Sequence, residues 1–240
     1  MVKLRGITWD HPRGYEPLRA VARTWEENAN IKVTWDVRTL KEFGDYPIER
    51  LINDYDFIII DHPYMGEAAS NKLLIPLDTF LDKSFIDFQE SQSVGPSFYS
   101  YNFDGHWWAL PIDAAAQVAA YRKDIVDSLG WKLPIDLMEI HKAASQLPAK
   151  YKIGVPLCAT DIWCVFLSLC SKYTEEEAFN KDGVDVKAGE WAIEQIRSWM
   201  PHLYKDSFKM NPIQMLDLMS STDEVIYIPF SFGYTNYSRK

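Results

Sequence analysis

Two rhythms of apolar and polar residues alternate along this chain, and the switches between them mark out its elements. Leu4-Arg5-Gly6-Ile7-Thr8-Trp9 reads as a strand. Between Tyr15 and Ala29 the period changes, so that Leu18, Val21, Ala22 and Trp25 fall on one helical face. Pro17 is read near the first turn of that helix, where its missing N–H is harmless. Ile31 to Val37 alternates again, as a half-buried strand does. A short helix around Ile48, Leu51 and Ile52 leads to residues 57–60, a continuous apolar run expected of a strand covered on both faces. This β-α-β-α-β order predicts a parallel sheet.

The pattern changes after Leu77. Residues 84–111 are rich in aromatics and show little helical periodicity, while Asp104-Gly105 between two aromatic runs signals a hairpin. The α/β rhythm then resumes, with strands expected at 117–121, 153–155 and 225–228 and helices at 123–129, 137–147, 162–172 and 188–203. The expectation is an α/β protein of two lobes, 1–110 and 111–240, joined by a hinge near residues 110–113 and not by a flexible tether.

Composition narrows the function classes. A chain of 240 residues that is 47% hydrophobic can bury a core in one large or two small domains. Its net charge of −9, without a Lys/Arg stripe, argues against nucleic acid as a partner. No apolar run approaches the length of a membrane span. Residues 1–10 lack the pattern of a signal peptide, which taken literally means a cytoplasmic chain or a mature form whose leader was removed. Cys158, Cys164 and Cys170 have neither metal-knuckle nor redox spacing and are read as buried thiols.

The tripeptide Asp-His-Pro occurs twice, as Asp10-His11-Pro12 and Asp61-His62-Pro63, each time after a strand-like run. Ligands of open α/β sheets bind beyond the carboxyl ends of strands, so both loops are expected to face one site. Asp10, His11, Asp61 and His62 could together bind Zn²⁺ or Fe²⁺, although no helical His pair supports this. Asp10, Asp61 and Asp113 could serve a carboxylate-dependent hydrolase, although no spacing fixes their separation. The plainer alternative is that Asp61 caps the next helix and Asp10 orients its own turn. A nucleophilic triad has no support, because G-x-S-x-G is absent. The nine tryptophans and thirteen tyrosines suit stacking on sugars, with Trp107, Trp108, Trp163 and Tyr234 nearest to loops or the hinge.

Tyr101-x3-Gly105-x4-Leu110-Pro111, followed by Tyr121-Arg122-Lys123-Asp124, resembles the crossover segment of the extracellular solute-binding proteins of ABC transporters, the maltose-binding-like family. Leu74-Ile75-Pro76-Leu77-Asp78 and Pro134-Ile135-Asp136-Leu137-Met138-Glu139 are similar to further segments of it, the latter with leucine where the family has tryptophan. The resemblance implies a type II periplasmic-binding-protein-like fold of two α/β lobes. It implies a binding protein without cofactor or catalytic residues, which holds a small polar solute, foremost a carbohydrate, in the cleft between the lobes. An ABC permease would be its partner, and the periplasm or cell exterior its location. Carried over by position, the ligand contacts would be Asp10, His11, Arg13, Asp61 and His62 in the first lobe, Asp113 at the crossover, and Asp161, Trp163 and Tyr234 in the second. Arg13 could grip a carboxylate or vicinal hydroxyls, which leaves an acidic solute open.

Members of the family continue well past the segment that matches residues 228–234. The expectation is therefore a chain truncated at its carboxyl end, with an incomplete first lobe that shows an unpaired sheet edge or an exposed apolar face.

Overall fold

The computed structural model describes residues 1–45, 47–174 and 178–238. By its internal contacts the chain divides into two compact units, Met1–Ala114 and Ala115–Lys240.

In the first unit, β1 (Val2–Trp9) lies between β2 (Ile31–Arg38) and β3 (Phe57–Ile58) and runs parallel to both. This is the parallel sheet that the β-α-β-α-β rhythm predicts. The register pairs Trp9 with Arg38, so the loops that follow β1 and β2 leave the sheet side by side. Helix α1 (Pro12–Ala29) begins three residues earlier than its periodicity suggested. The reason is a cap that periodicity does not report: the His11 ring nitrogen Nδ1 accepts from the Arg13 N–H at 3.1 Å. Pro17 consequently lies inside the helix, where it removes a ladder hydrogen bond, and not in its first turn.

Residues 57–60 also differ from expectation. Only Phe57 and Ile58 pair, and Phe57 is 45% exposed, its ring stacked 6.2 Å from Trp35. Among the described residues β1 is the only strand beside β3, so the run forms an edge, and the exposure of Phe57 leaves one face of it open while Ile60 is buried. Helices α2 (Leu40–Asp45) and α3 (Met65–Ser70) are short. Helix α4 (Lys83–Gln92) falls in the stretch read as poor in helix, because it buries only Ile86 and leaves Phe85 and Phe88 exposed. Such a helix has no apolar stripe to find. The hairpin of β4 (Asn102–Phe103) and β5 (His106–Trp107) turns at Asp104 and Gly105, whose φ angles of 54° and 78° are those of a type I′ turn.

A methyl group on Gly6 would be driven into the ring of Trp35, with Cε3 at 2.5 Å. Gly6→Ala is therefore expected to cost about 1–3 kcal/mol, read as a lower urea midpoint. Gly44→Ala, whose added carbon meets nothing within 4 Å, is the control and should not destabilise the chain.

The second unit is built on β10 (Val225–Phe232), which is antiparallel to β6 (Gln117–Tyr121) and parallel to β7 (Lys152–Ile153). All of β10 but Phe232 is buried, which explains the apolar run of residues 225–230. Pro229 has no N–H to donate, and the register with β6 shifts there, between Ile228 and Ser231. Helix α5 (Lys123–Leu129) ends at Gly130 and leads to α6 (Ile140–Ser145), which is entered through a 3₁₀ turn. At that turn Asp136 accepts from the Met138 N–H at 3.0 Å and Glu139 accepts from the Ile135 N–H at 3.1 Å. Asp136 thus caps the turn, and Glu139 ties back the residue before the cap. Helix α7 (Ala159–Tyr173), the small hairpin of β8 (Phe179–Asn180) and β9 (Gly183–Val184), and α8 (Val186–Trp199) follow. Helix α8 stops before residue 203 because Pro201 starts a 3₁₀ turn, Met200–His202. Helix α9 (Pro212–Ser221) carries an Asn211/Gln214 capping box. Trp199, Leu169, Ile153, Val155, Val165 and Ile226 form the buried centre.

Candidate functional site

The first unit gathers polar side chains at the carboxyl edge of its sheet. The parallel order puts the ends of β1, β2 and β3 on one side, and the Asp10 N–H donates to the Arg38 carbonyl at 2.7 Å. Thr8, buried next to the end of β1, donates from Oγ1 to the Gly14 carbonyl at 3.3 Å and fastens the first turn of α1 under the strand. Gly14 is required there, since an added Cβ would lie 2.6 Å from Trp9 Cδ2. This fixes the direction of Arg13, whose guanidinium pairs with the Asp113 carboxylate.

Around that pair the electrostatics converge. Asp61 is accessible by area, yet surrounding protein strips enough water to push its carboxyl above the ordinary aspartate range. The charges of His62, Arg38 and Arg13 oppose that rise, and Asp113 adds to it. Burial likewise raises the Tyr101 phenol, with Asp61 and Asp113 contributing. Asp61, Asp113, Arg13, Arg38, His62 and Tyr101 therefore act on one another within this unit. Accepting carboxylates beside a guanidinium and an aromatic ring suit a hydroxyl-rich solute, whose OH groups both donate and accept.

The individual expectations divide. Arg13, Asp61, His62 and Asp113 are brought together. Asp10 is exposed at the same edge, and His11 is 6% exposed with its Nδ1 occupied in capping α1. That occupation removes it from the metal set considered above: among the described residues no three His, Cys, Asp or Glu side chains are placed to hold a metal ion. Asp61 precedes a 3₁₀ turn, His62–Tyr64, without a side-chain capping bond, so it is not spent on a helix start.

In the second unit, Asp161 sits in the first turn of α7, where it accepts from the Cys158 thiol at 2.9 Å and burial raises its carboxyl. Trp163 is 52% exposed, stacked on Phe166 at 5.5 Å and edge-on to Phe179 at 6.4 Å. Tyr234, by contrast, is 9% exposed in the apolar cluster of Met215, Leu216, Met219, Val225 and Ile228, so its ring serves packing.

Sequence reasoning missed Arg38 and Tyr101. Arg38 is 8% exposed, with Nη2 donating to the Ile59 carbonyl at 3.1 Å, Nη1 to the Glu42 carbonyl at 3.3 Å, and its guanidinium 5.1 Å from the centre of the Phe43 ring. The signal was an arginine closing an alternating strand at the same level as the Asp-His-Pro loops.

A family profile described as bacterial extracellular solute-binding protein matches residues 8–160, well over half of the chain. The chain belongs to that family. The match takes in the whole polar cluster of the first unit, and the family consists of binding proteins of transporters, not of enzymes. No curated protein sequence matches significantly. Among solved structures, the chain is similar to an ABC transporter solute-binding protein from Agrobacterium radiobacter K84 in complex with ribitol, with a TM-score of 0.79 at 14% identity over 99% of this chain and 62% of that one. Maltose-bound MalE3 of T. maritima gives 0.77 at 16% identity, over 98% and 62% of the two chains. The maltotriose-binding protein of Thermus thermophilus gives 0.72 at 17% identity, over 100% and 65%. The fold is thus that of the type II periplasmic binding proteins, and the chain spans less than two thirds of the length of these structures. The hydrolase alternative finds no support in these likenesses.

Proposed function

We propose that this chain is a substrate-binding component of an ABC transport system, that it holds a small carbohydrate or polyol, and that it performs no chemistry on it. The observation that carries this reading is the family match over residues 8–160, which includes a built cluster of Arg13, Asp61 and Asp113. Ligands named for the similar structures, ribitol, maltose and maltotriose, are the first candidates. Asp10, His11 and His62 border the cluster, and the same reading assigns Asp161 and Trp163 of the second unit to solute contact, the latter by stacking on a sugar face. Tyr234 is left with at most its hydroxyl to offer. The family supports delivery to a membrane permease, in the periplasm or at the cell exterior.

Titration calorimetry against maltose, maltotriose and ribitol tests the proposal. Saturable binding of one of them is expected, and Arg13→Ala should weaken it at least tenfold, about 1.4 kcal/mol, by removing the charged donor and leaving Asp113 unpaired. Chemical conversion of the bound compound, or undiminished affinity in Arg13→Ala, would count against it.

A further inference from the structure

Outside this cluster, two histidines from different elements of the second unit face each other. His141 lies on α6 and His202 in the 3₁₀ turn after α8, with ring centres 5.4 Å apart and planes inclined at 59°. His141 Nδ1 is 2.8 Å from the Ser198 carbonyl oxygen. A carbonyl only accepts, so Nδ1 carries the proton and Nε2 keeps its lone pair. An imidazole fixed through one nitrogen by a backbone carbonyl is the usual state of a metal-binding histidine.

We propose that His141 and His202 form a two-histidine site for a late first-row divalent metal ion, Cu²⁺, Ni²⁺ or Zn²⁺. A metal–nitrogen bond of about 2.0–2.1 Å places each ring centre about 3.2 Å from the ion. Two rings 5.4 Å apart then subtend roughly 115° at the metal, close to the tetrahedral angle. Two imidazoles offer nitrogen and no oxygen donors, which suits late first-row metals and not hard ions such as Mg²⁺ and Ca²⁺. With two protein ligands the other positions go to water or a chelator, and the ion exchanges readily. By linking α6 to the end of α8, the ion would also raise the unfolding temperature of the second unit.

The probe is Cu²⁺ iminodiacetate, which leaves positions open for two imidazoles, titrated into the full chain and read by electron spin-echo modulation. Two coupled imidazoles per copper are expected. His202→Gln should reduce the count to one and weaken affinity at least tenfold, as should His141→Gln. His202→Gln leaves the Ser198 contact intact, so it remains informative if the His141 variant folds poorly. His106→Gln, on the other unit and paired with Asp78 at 2.9 Å, should change nothing. One imidazole in the unaltered protein, or affinity undiminished in either variant, would overturn the proposal.

Discussion

Trp199→Ala should be the most damaging single change in the second unit, at about 3–5 kcal/mol. The indole is fully buried, at 0% exposure, between α8 and β10, with the Phe230 ring 5.8 Å away. Its Nε1 has no hydrogen-bond partner among the described residues, so truncation breaks no polar contact and the cost is that of the lost apolar transfer and the cavity left behind. Against a typical domain stability of about 5–15 kcal/mol, that is enough to populate the unfolded unit. Hydrogen exchange is the measurement of choice because it reports each unit separately. Amides of β7 and β10 should lose protection while those of β1 and β2 keep theirs. Trp199→Phe, which retains most of the volume, should recover much of the loss. Equal loss of protection in both units would show that the chain unfolds as one block, and the assignment of this cost to the second unit would be wrong.

The sequence announced what repeats and missed what is local. Strands β1, β2 and β10 were legible because alternation or an apolar run is the direct imprint of their burial, and the β4–β5 turn because Asp-Gly is suited to two positive φ angles. The start of α1 was not, because its cap is a histidine and lies outside the usual Ser/Thr/Asp/Asn signal. Helix α4 was not, because its aromatic residues remain exposed. The Asp-His-Pro repeat located the carboxyl edge of the sheet but could not apportion roles there. Only packing separates His11, turned to its own helix, from Asp61, left among opposing charges. Arg38 is unremarkable in the sequence, since an arginine that ends a strand is ordinarily solvated, and Tyr101 was read only as part of the crossover segment. What makes this arginine different is the set of backbone carbonyls that meet it.

The expected consequence of Arg38→Met therefore has two parts. The Ile59 and Glu42 carbonyls would each lose a charged donor, and an unsatisfied buried acceptor costs about 1–3 kcal/mol. Relief from burying a charge, whose proton affinity burial already lowers, offsets part of this. A net loss of about 2 kcal/mol in urea unfolding is expected. The second part falls on Asp61, which loses one of the cations that hold its carboxyl down and should titrate at a still higher pH. The folded chain already keeps the Asp61 proton to a higher pH than the unfolded chain does. This group's contribution to stability is hence greatest below its unfolded value, and it is lost as pH rises through its folded value. Arg38→Met should move that loss to higher pH, and Asp61→Asn should abolish it in either background. The groups that face Asp61, namely His62, Arg13, Asp113 and Tyr101, remain in place throughout, so the difference between backgrounds isolates Arg38. Carbon-13 carboxyl shifts of Asp61 read the titration directly. Arg38→Lys should hold the titration near its original position, because the charge persists, while still losing stability, because an ammonium cannot span both carbonyls as the fork does. If Arg38→Met leaves the Asp61 titration unmoved, Arg38 serves only to tie the Ile59 loop to α2, and its electrostatic role at Asp61 is refuted.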